Sequence, residues 1–109
     1  MIEICNLSTN RMRHPWDVRI DRRSGLGNPY RLRTEWKRDK VCDQYETFFR
    51  NKLSEKWLQE ALQELIEIYK EYGKLRLFCW CAPNRCHGDT IKNYLMKEIN
   101  INEGIEYDD

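Results

Sequence analysis

The sequence predicts a small α/β domain built around a mostly parallel sheet. Its 109 residues suffice for one domain, so residues 1–109 are treated as a single unit. Segments with strand-like patterns and segments with helical periodicity follow one another along the chain. Residues 75–81 carry apolar side chains on both sides of a predicted strand, which is typical of a central strand with both faces covered.

The first third of the chain predicts two short strands and a loop. Residues 2–7 have a short strand-like pattern. Val18 and Ile20 alternate with charged residues, which predicts a second short strand. Residues 24–30, Ser-Gly-Leu-Gly-Asn-Pro-Tyr, are rich in Gly, Asn and Pro and therefore predict a loop.

The middle of the chain predicts two helices. Asp39 is placed to cap a helix that runs to about Leu53, and Ser54 is placed to cap the next one. The second helix has apolar side chains at every fourth position and ends at Gly73, which suits the left-handed position after a helix. The apolar positions are Val41, Tyr45, Phe48 and Phe49 in the first helix and Trp57, Ala61, Leu65 and Tyr69 in the second.

The last third predicts the central strand, residues 75–81, and one more helix. This helix begins at Asp89 or a near neighbour and continues to about Glu98. Residues 100–109 are acidic and polar, so we expect them to be loose or to lie at an edge. The apolar residues that this helix should bury are Ile91, Leu95 and Ile99.

Charge and cysteine content restrict the class of protein. Residues 11–40 contain ten Lys or Arg and four acids, a net charge of +6, although the whole chain has only +1. Such a segment is typical of a phosphate-binding surface, but charge alone favours a solvated Arg-rich loop. Five Cys with no secretory signal and no membrane-spanning apolar run predict a cytoplasmic protein with free thiols or a bound metal.

Two loops follow strands and are therefore candidate ligand sites, because open α/β sheets bind ligands beyond the carboxyl ends of their strands. In the first loop, Gly27 and Asn28 belong to a tight turn with exposed N–H groups. Arg22 and Arg23 precede this turn and can pair with phosphate. The segment matches neither the dinucleotide fingerprint nor the P-loop.

The second loop places His87, Gly88 and Asp89 at a helix N-terminus, where free N–H groups attract anions and a glycine admits a ligand to the backbone. His87 could be a general acid or base, and Asp89 could accept a proton or bind a ribose hydroxyl. The structural alternatives are a hydrogen bond from His87 to the loop and a helix cap by Asp89. Cys86 is the thiol expected to be reactive at this helix start.

Cysteine spacing leaves a zinc site open as an alternative. Cys79, Cys81, Cys86 and His87 together would suit tetrahedral zinc. However, the first two lie on an extended strand, and no second pair of ligands is evident unless Cys42 contributes. Packing of two small thiols beneath a helix explains Cys79 and Cys81 better.

Two motifs resemble the signatures of the family known as domain of unknown function 4326. Residues 26–30, Leu-Gly-Asn-Pro-Tyr, resemble its LGNPF signature, with Tyr in place of the commoner Phe. Residues 79–83, Cys-Trp-Cys-Ala-Pro, with 86–89, Cys-His-Gly-Asp, resemble its second signature. The resemblance covers about residues 18–95. The residues in motif positions are Leu26, Gly27, Asn28, Pro29, Cys81, Pro83, Cys86, His87, Gly88 and Asp89.

The resemblance implies a small protein, often encoded by phages or bacteria, with a three-layer Rossmann-like fold. That fold group binds nucleotides or nucleotide-derived signals and includes nucleoside-phosphate N-glycosidases. We therefore expect a domain that binds a nucleotide or a nucleotide-derived ligand near Arg22, Arg23, Gly27, Asn28, Cys86 and Gly88.

The sequence is compatible with three functions. An enzyme would hydrolyse a glycosidic or phosphate bond, with His87 and Asp89 as acid–base residues. A binding module would sequester the ligand unchanged. A zinc-clipped module would contact nucleic acid through residues 11–40.

Overall fold

The computed structural model describes residues 1–102, which form a three-stranded sheet and three α-helices. Two short 3₁₀ turns, Arg22–Ser24 and Glu35–Lys37, lie between the second strand and the first helix. The strands are β1 (Ile2–Asn6), β2 (Asp17–Arg19) and β3 (Leu75–Cys79), and the helices are α1 (Arg38–Lys52), α2 (Lys56–Tyr72) and α3 (His87–Asn102).

The sheet is parallel throughout, with strand order β1-β3-β2. Ile2 of β1 lies opposite Leu75 of β3, and Val18 of β2 lies opposite Leu77. The chain therefore places β3 last and centrally, after the two helices that follow β2. The predicted α/β class, parallel sheet and central strand are confirmed.

The apolar pattern of β3 explains its central position. Leu75, Leu77 and Cys79 point to one face and belong to a core cluster that also contains buried residues of all three helices. Phe78 points to the opposite face and is also fully buried, with the Arg76 guanidinium 5.0 Å from the centre of its ring. Both faces of the strand are thus covered, as the sequence predicted.

Element ends differ from the predicted ones by a few residues. The first helix begins at Arg38 with Lys37 in the cap position, so Asp39 lies inside the first turn. Glu55, and not Ser54, occupies the cap position of α2. Neither α1 nor α2 has a side-chain cap at its N-terminus, so local cap chemistry could not define these starts. Gly73 ends α2 with a φ of 73°, as predicted.

The end of the chain departs further from prediction. The third strand ends at Cys79, two residues before the predicted end, and α3 extends to Asn102. Residues 100–102 are therefore helical and not part of a loose tail, because Ile99 is buried and keeps this end of the helix on the core. The rest of the predicted tail, 103–109, lies outside the described residues.

Asn6 fixes the backbone that follows β3. Its side-chain amide donates to the carbonyl oxygens of Trp80 (3.1 Å) and Ala82 (2.8 Å), and its side-chain oxygen accepts from the backbone N–H of Ser8 (2.8 Å). The residue at the carboxyl end of β1 thus holds the loop after β3 over the edge of the sheet. This is the edge where α/β domains hold ligands.

Candidate functional site

A cavity of about 350 Å³ opens beyond the carboxyl ends of β2 and β3. Its walls come from four places: the segment after β2, the start of α1, the segment after β3 and the start of α3. The volume falls within the range of small-molecule sites, roughly 300–1,000 Å³. Both loops predicted as candidate sites meet here. The predicted residues that line the cavity are Arg22, Arg23, Asn28, Cys86 and His87.

Arginines supply the positive charge of the cavity, and two of them have N–H groups to spare. Arg22 donates from Nε to the carbonyl oxygen of Asn28 (3.1 Å), and its terminal nitrogens have no partner within residues 1–102. The Arg23 side chain makes no hydrogen bond or ion pair within the same residues, and it is exposed. Arg38 is engaged, because it pairs with Glu35 and donates to the Arg85 carbonyl oxygen (2.9 Å). Arg22 and Arg23 are therefore the guanidinium groups available to an anion.

Asn28 holds the first loop against α1. Its side-chain oxygen accepts from the N–H of Tyr30 (2.9 Å), and its amide donates to the Val41 carbonyl oxygen (3.3 Å). The preceding Leu26 is buried, and its carbonyl oxygen accepts from the hydroxyl of Tyr45 (2.8 Å). The side chain of Asn28 thus shapes the wall of the cavity by binding the protein itself.

Gly27 is required by close backbone packing. A Cβ atom at this position would lie 2.4 Å from both Cα and N of Arg22 and 2.7 Å from the carbonyl carbon of Asp21. Any side chain here would push the loop away from the turn that carries the two arginines. Gly27 therefore contributes to the site by allowing Arg22 to lie where it does, and it does not itself line the cavity.

The start of α3 is a reciprocal capping arrangement. Cys86 precedes the first helical residue, and its sulfur accepts from the N–H of Gly88 (3.3 Å). The carboxylate of Asp89 reaches back and accepts from the N–H of Cys86 (3.2 Å). This is a variant of the capping box, with Cys in the position usually held by Ser or Thr and its sulfur accepting from the second helical N–H and not the third. The cap alternative for Asp89 therefore describes its observed contact, and Asp89 does not line the cavity.

Gly88 lies on the core side of the helix start. A Cβ atom would approach the side-chain ends of Ile20 (2.8 Å) and Ile4 (3.0 Å) and the sulfur of Cys86 (3.2 Å). Its N–H already donates to that sulfur. Packing of α3 on the sheet therefore accounts for this glycine, and Gly88 does not line the cavity.

His87 is buried, with 7% of its surface exposed, and its imidazole joins α3 to the end of β2. Its Nε2 is hydrogen-bonded to the carbonyl oxygen of Ile20, an acceptor, so Nε2 carries the proton and the neutral ring leaves Nδ1 as an acceptor. Burial lowers its pKa, against smaller opposing effects of this hydrogen bond and of the Asp21 and Asp89 charges. The ring of Tyr45 packs edge-on against it at 5.0 Å. His87 thus lines the cavity as a neutral group that is tied to the backbone.

The buried thiols form a group next to His87. The sulfur atoms of Cys79 and Cys86 are 3.4 Å apart, and Cys81 lies beside Cys79 and Arg38. Cys42 is also buried, and its sulfur lies 3.6 Å from the Arg85 carbonyl oxygen. Within residues 1–102 no cluster of three or more Cys, His, Asp or Glu has the geometry of a metal site. Cys79 and Cys86 contact each other directly, sulfur to sulfur.

Among the lining residues that sequence reasoning missed, Asp21 and Trp80 contact each other. The Trp80 indole N–H donates to the Asp21 carboxylate (3.0 Å), which also pairs with Arg19. The hydrogen bond from Arg19, aided by that from Trp80, lowers the pKa of Asp21. The sequence predicts Trp80 within the strand 75–81, but the strand ends at Cys79 and the Trp80 side chain is 57% exposed. Hydrogen bonds from Asn6 hold the loop after β3 and take Trp80 off the strand. No local sequence pattern indicates these bonds.

The sequence matches the model of a known protein family. The family model "Domain of unknown function (DUF4326)" matches residues 5–97, which include residues 26–30 and 79–89 and every wall of the cavity. The chain belongs to this family. Searches of curated proteins and of solved structures found no match. In this DUF4326 domain, Asn28 binds the first loop to α1, His87 joins α3 to the end of β2, and Asp89 caps α3.

No helix within residues 1–102 is long and apolar enough to cross a bilayer.

Proposed function

We propose that this DUF4326 protein is a cytoplasmic domain that binds a nucleotide or nucleotide-derived ligand in the cavity beyond β2 and β3. The observation that carries the proposal is a pocket of ligand size with two unengaged guanidinium groups, Arg22 and Arg23, on one wall. Five free thiols in a chain of 109 residues support a reducing compartment.

The phosphate part of the ligand would bind to Arg22 and Arg23. Guanidinium groups form paired hydrogen bonds with phosphate oxygens, and such charge-assisted bonds are about twice as strong as neutral ones. Arg22 is held in place by its bond to the Asn28 carbonyl, so less side-chain freedom is lost on binding.

The base or sugar part would bind to the apolar walls. Tyr30 and Trp80 line the cavity and are 41% and 57% exposed, so their rings are available for stacking. Leu32 and Val41 add aliphatic surface. Stacking of a base on an aromatic ring contributes about 1–3 kcal/mol and tolerates different bases.

The acid–base groups of the site favour binding without turnover. His87 is buried and bonded to the Ile20 carbonyl, and the Asp89 carboxylate binds the backbone N–H of Cys86. Asp21 is paired with Arg19 and Trp80. A hydrolase needs an acid or base within reach of the substrate, and each of these side chains already binds the protein, with Nδ1 of His87 left as an acceptor. The non-catalytic alternative is therefore the one that the geometry supports better.

A cavity-filling variant tests where the ligand binds. Val41→Trp places an indole in the cavity, and Thr47→Trp places the same side chain on the exposed surface of the same helix. Isothermal titration with nucleoside mono-, di- and triphosphates, dinucleotides and cyclic nucleotides should show binding by the wild type and by Thr47→Trp. Val41→Trp should bind the ligand at least about tenfold more weakly. Its circular dichroism spectrum should remain that of the folded protein. Equal affinity of the two variants would place the ligand elsewhere.

Chromatography of the bound nucleotide tests turnover. The wild-type protein is incubated with the tightest ligand of the panel, denatured, and the released small molecules are separated. Intact ligand is the expected result. Release of free base, of nucleoside or of inorganic phosphate would favour the enzymatic alternative and would return His87 and Asp89 to the role of acid–base candidates.

A further inference from the structure

Two buried thiols, one of them in the cavity wall, are close enough to react with each other. The sulfur atoms of Cys79, at the end of β3, and of Cys86, before α3, lie 3.4 Å apart. Disulfide sulfurs lie about 2 Å apart, so bond formation needs a shift of little more than 1 Å. Both side chains are buried, at 1% and 4% exposure, and are therefore held in this arrangement by the core around them.

Cys86 is the more nucleophilic member of the pair. It precedes a helix of 16 residues, and the N–H of Gly88 donates to its sulfur at 3.3 Å. A hydrogen bond from the Cys79 thiol and then this N–H lower the pKa of Cys86, against the effect of burial. Cys86 also lines the cavity, which gives a small reagent a route to its sulfur.

We propose that Cys79 and Cys86 form a reversible intrachain disulfide when the protein meets hydrogen peroxide or a small organic peroxide, with Cys86 reacting first. This modification site does not rest on the proposed nucleotide ligand. It follows from the contact of the two sulfurs and from the opening of one of them to the cavity.

The chemistry takes two steps. In the first, the Cys86 thiolate attacks one peroxide oxygen; an S–O bond forms, the O–O bond breaks, and hydroxide leaves and takes up a proton as water. In the second, the Cys79 sulfur attacks the sulfur of the Cys86 sulfenic acid; the S–S bond forms, the S–O bond breaks, and a second water leaves. Two thiols and one peroxide thus give one disulfide and two waters, and an added dithiol reverses the reaction.

Cys42 and Cys81 also line the cavity, but their thiols are less ionised and therefore less suited to react. Cys81 lies next to Cys79, and its hydrogen bond with that thiol, together with burial, raises its pKa. Burial also raises the pKa of Cys42, whose sulfur lies 3.6 Å from the Arg85 carbonyl oxygen. Cys81 could still compete with Cys79 as the second thiol, so the experiment must tell these two apart.

Mass spectrometry of the oxidised full-length protein tests the proposal. Reduced wild-type protein is treated with a small excess of hydrogen peroxide, blocked with an alkylating reagent and weighed. The expected mass loss before alkylation is about 2 Da, from two hydrogens. Alkylation should fall from five thiols to three, and dithiothreitol should restore all five.

Trypsin then locates the bond. Cleavage after Arg76, Arg85 and Lys92 leaves Cys86 in a peptide separate from the one that holds Cys79 and Cys81. The expected product is these two peptides joined, with Cys81 alkylated. A bond from Cys86 to Cys81, or oxidation that starts at Cys42, would overturn the proposal.

Variants provide a second, independent readout. Cys86→Ser keeps a good helix cap and should retain all four of its thiols under the same treatment. Cys79→Ala should stop at the sulfenic acid, which dimedone traps on Cys86. The matched control, Cys42→Ser, should form the disulfide as the wild type does. Failure of the wild type to lose two thiols at peroxide levels that oxidise free cysteine would refute the proposal.

Discussion

At the scale of single residues, most polar side chains in the two sequence motifs bind the protein itself. Asn28 connects a loop to α1, and His87 connects α3 to the end of β2. Their partners, Val41 and Ile20, lie 13 and 67 residues away in the sequence. The motifs therefore encode the shape of the cavity wall, and the arginines beside them, Arg22 and Arg23, offer free N–H groups to a ligand.

Gly27 should be intolerant of any side chain. Gly27→Ala places a methyl group 2.4 Å from backbone atoms of Arg22, which cannot move without shifting the turn after β2. Overpacking of this kind costs about 1–3 kcal/mol of unfolding free energy. Denaturant unfolding should show this loss, whereas the exposed Thr47→Ala should change stability by less than about 0.5 kcal/mol. Equal stabilities of the two variants would contradict the observed packing.

His87 should make stability depend on pH. Its ordinary pKa is 6.5, and burial lowers the pKa in the folded state. As pH falls, His87 therefore binds a proton in the unfolded chain before it does so in the folded one. The free energy of unfolding is at its full value above pH 6.5 and declines below that pH. The slope should approach about 1.4 kcal/mol per pH unit.

Unfolding curves between pH 7.5 and about 5.5 measure this effect. His87→Gln keeps an N–H donor for the Ile20 carbonyl but does not titrate, so its stability should change less over the same range. An identical pH dependence in wild type and variant would show that another group is responsible.

Residue identities could be predicted from sequence more readily than their roles. Five of the eight predicted site residues line the cavity: Arg22, Arg23, Asn28, Cys86 and His87. The other three do not line the cavity. Gly27 and Gly88 allow close packing of the elements that form its walls, and Asp89 caps α3. The sequence predicts which loop a residue belongs to. The direction of its side chain depends on contacts with segments far away in the sequence.

At the scale of secondary structure, the helix start at Cys86 is the element that brings most of the site together. The helix α3 begins at His87, in agreement with the predicted start at Asp89 or a near neighbour, and contacts of Cys86 and Asp89 cap it. Cysteine is not among the usual cap residues, so the sequence pattern does not indicate a cap by Cys86. In contrast, Gly73 ends α2 as predicted, because a positive φ has a strong preference for glycine.

Removal of the cap should destabilise α3. Asp89→Ala leaves the Cys86 N–H without an acceptor and should lower the unfolding free energy by about 1 kcal/mol. Asp89→Glu retains a carboxylate that can reach back, as in the usual capping box, and should recover most of the loss. Asn93→Ala, at an exposed position of the same helix, is the matched control. Thermal unfolding followed by circular dichroism provides the measurement, and a neutral Asp89→Ala would contradict the cap.

At the scale of the whole molecule, the cavity exists because the chain places β3 between two strands that precede it. The loops after β2 and β3 then lie side by side, although residues 27 and 87 are far apart in the sequence. The sequence predicted the α/β class and the carboxyl-end location, because both follow from element order. It did not predict Trp80 and Asp21 in the wall, since their positions depend on where β3 ends and how Asn6 holds the next loop.

The most direct test of nucleotide binding at this cavity is the affinity of a charge-deletion pair, measured by isothermal titration with the nucleotide panel. The variant Arg22→Ala with Arg23→Ala removes the unengaged guanidiniums, and Arg50→Ala with Lys70→Ala removes the same charge from exposed helix surfaces. The wild type and the surface variant should bind the same phosphate-containing ligand equally well. The cavity variant should bind at least about tenfold more weakly, which corresponds to about 1.4 kcal/mol. Failure of the wild type to bind any member of the panel, or equal binding by both variants, would contradict the account.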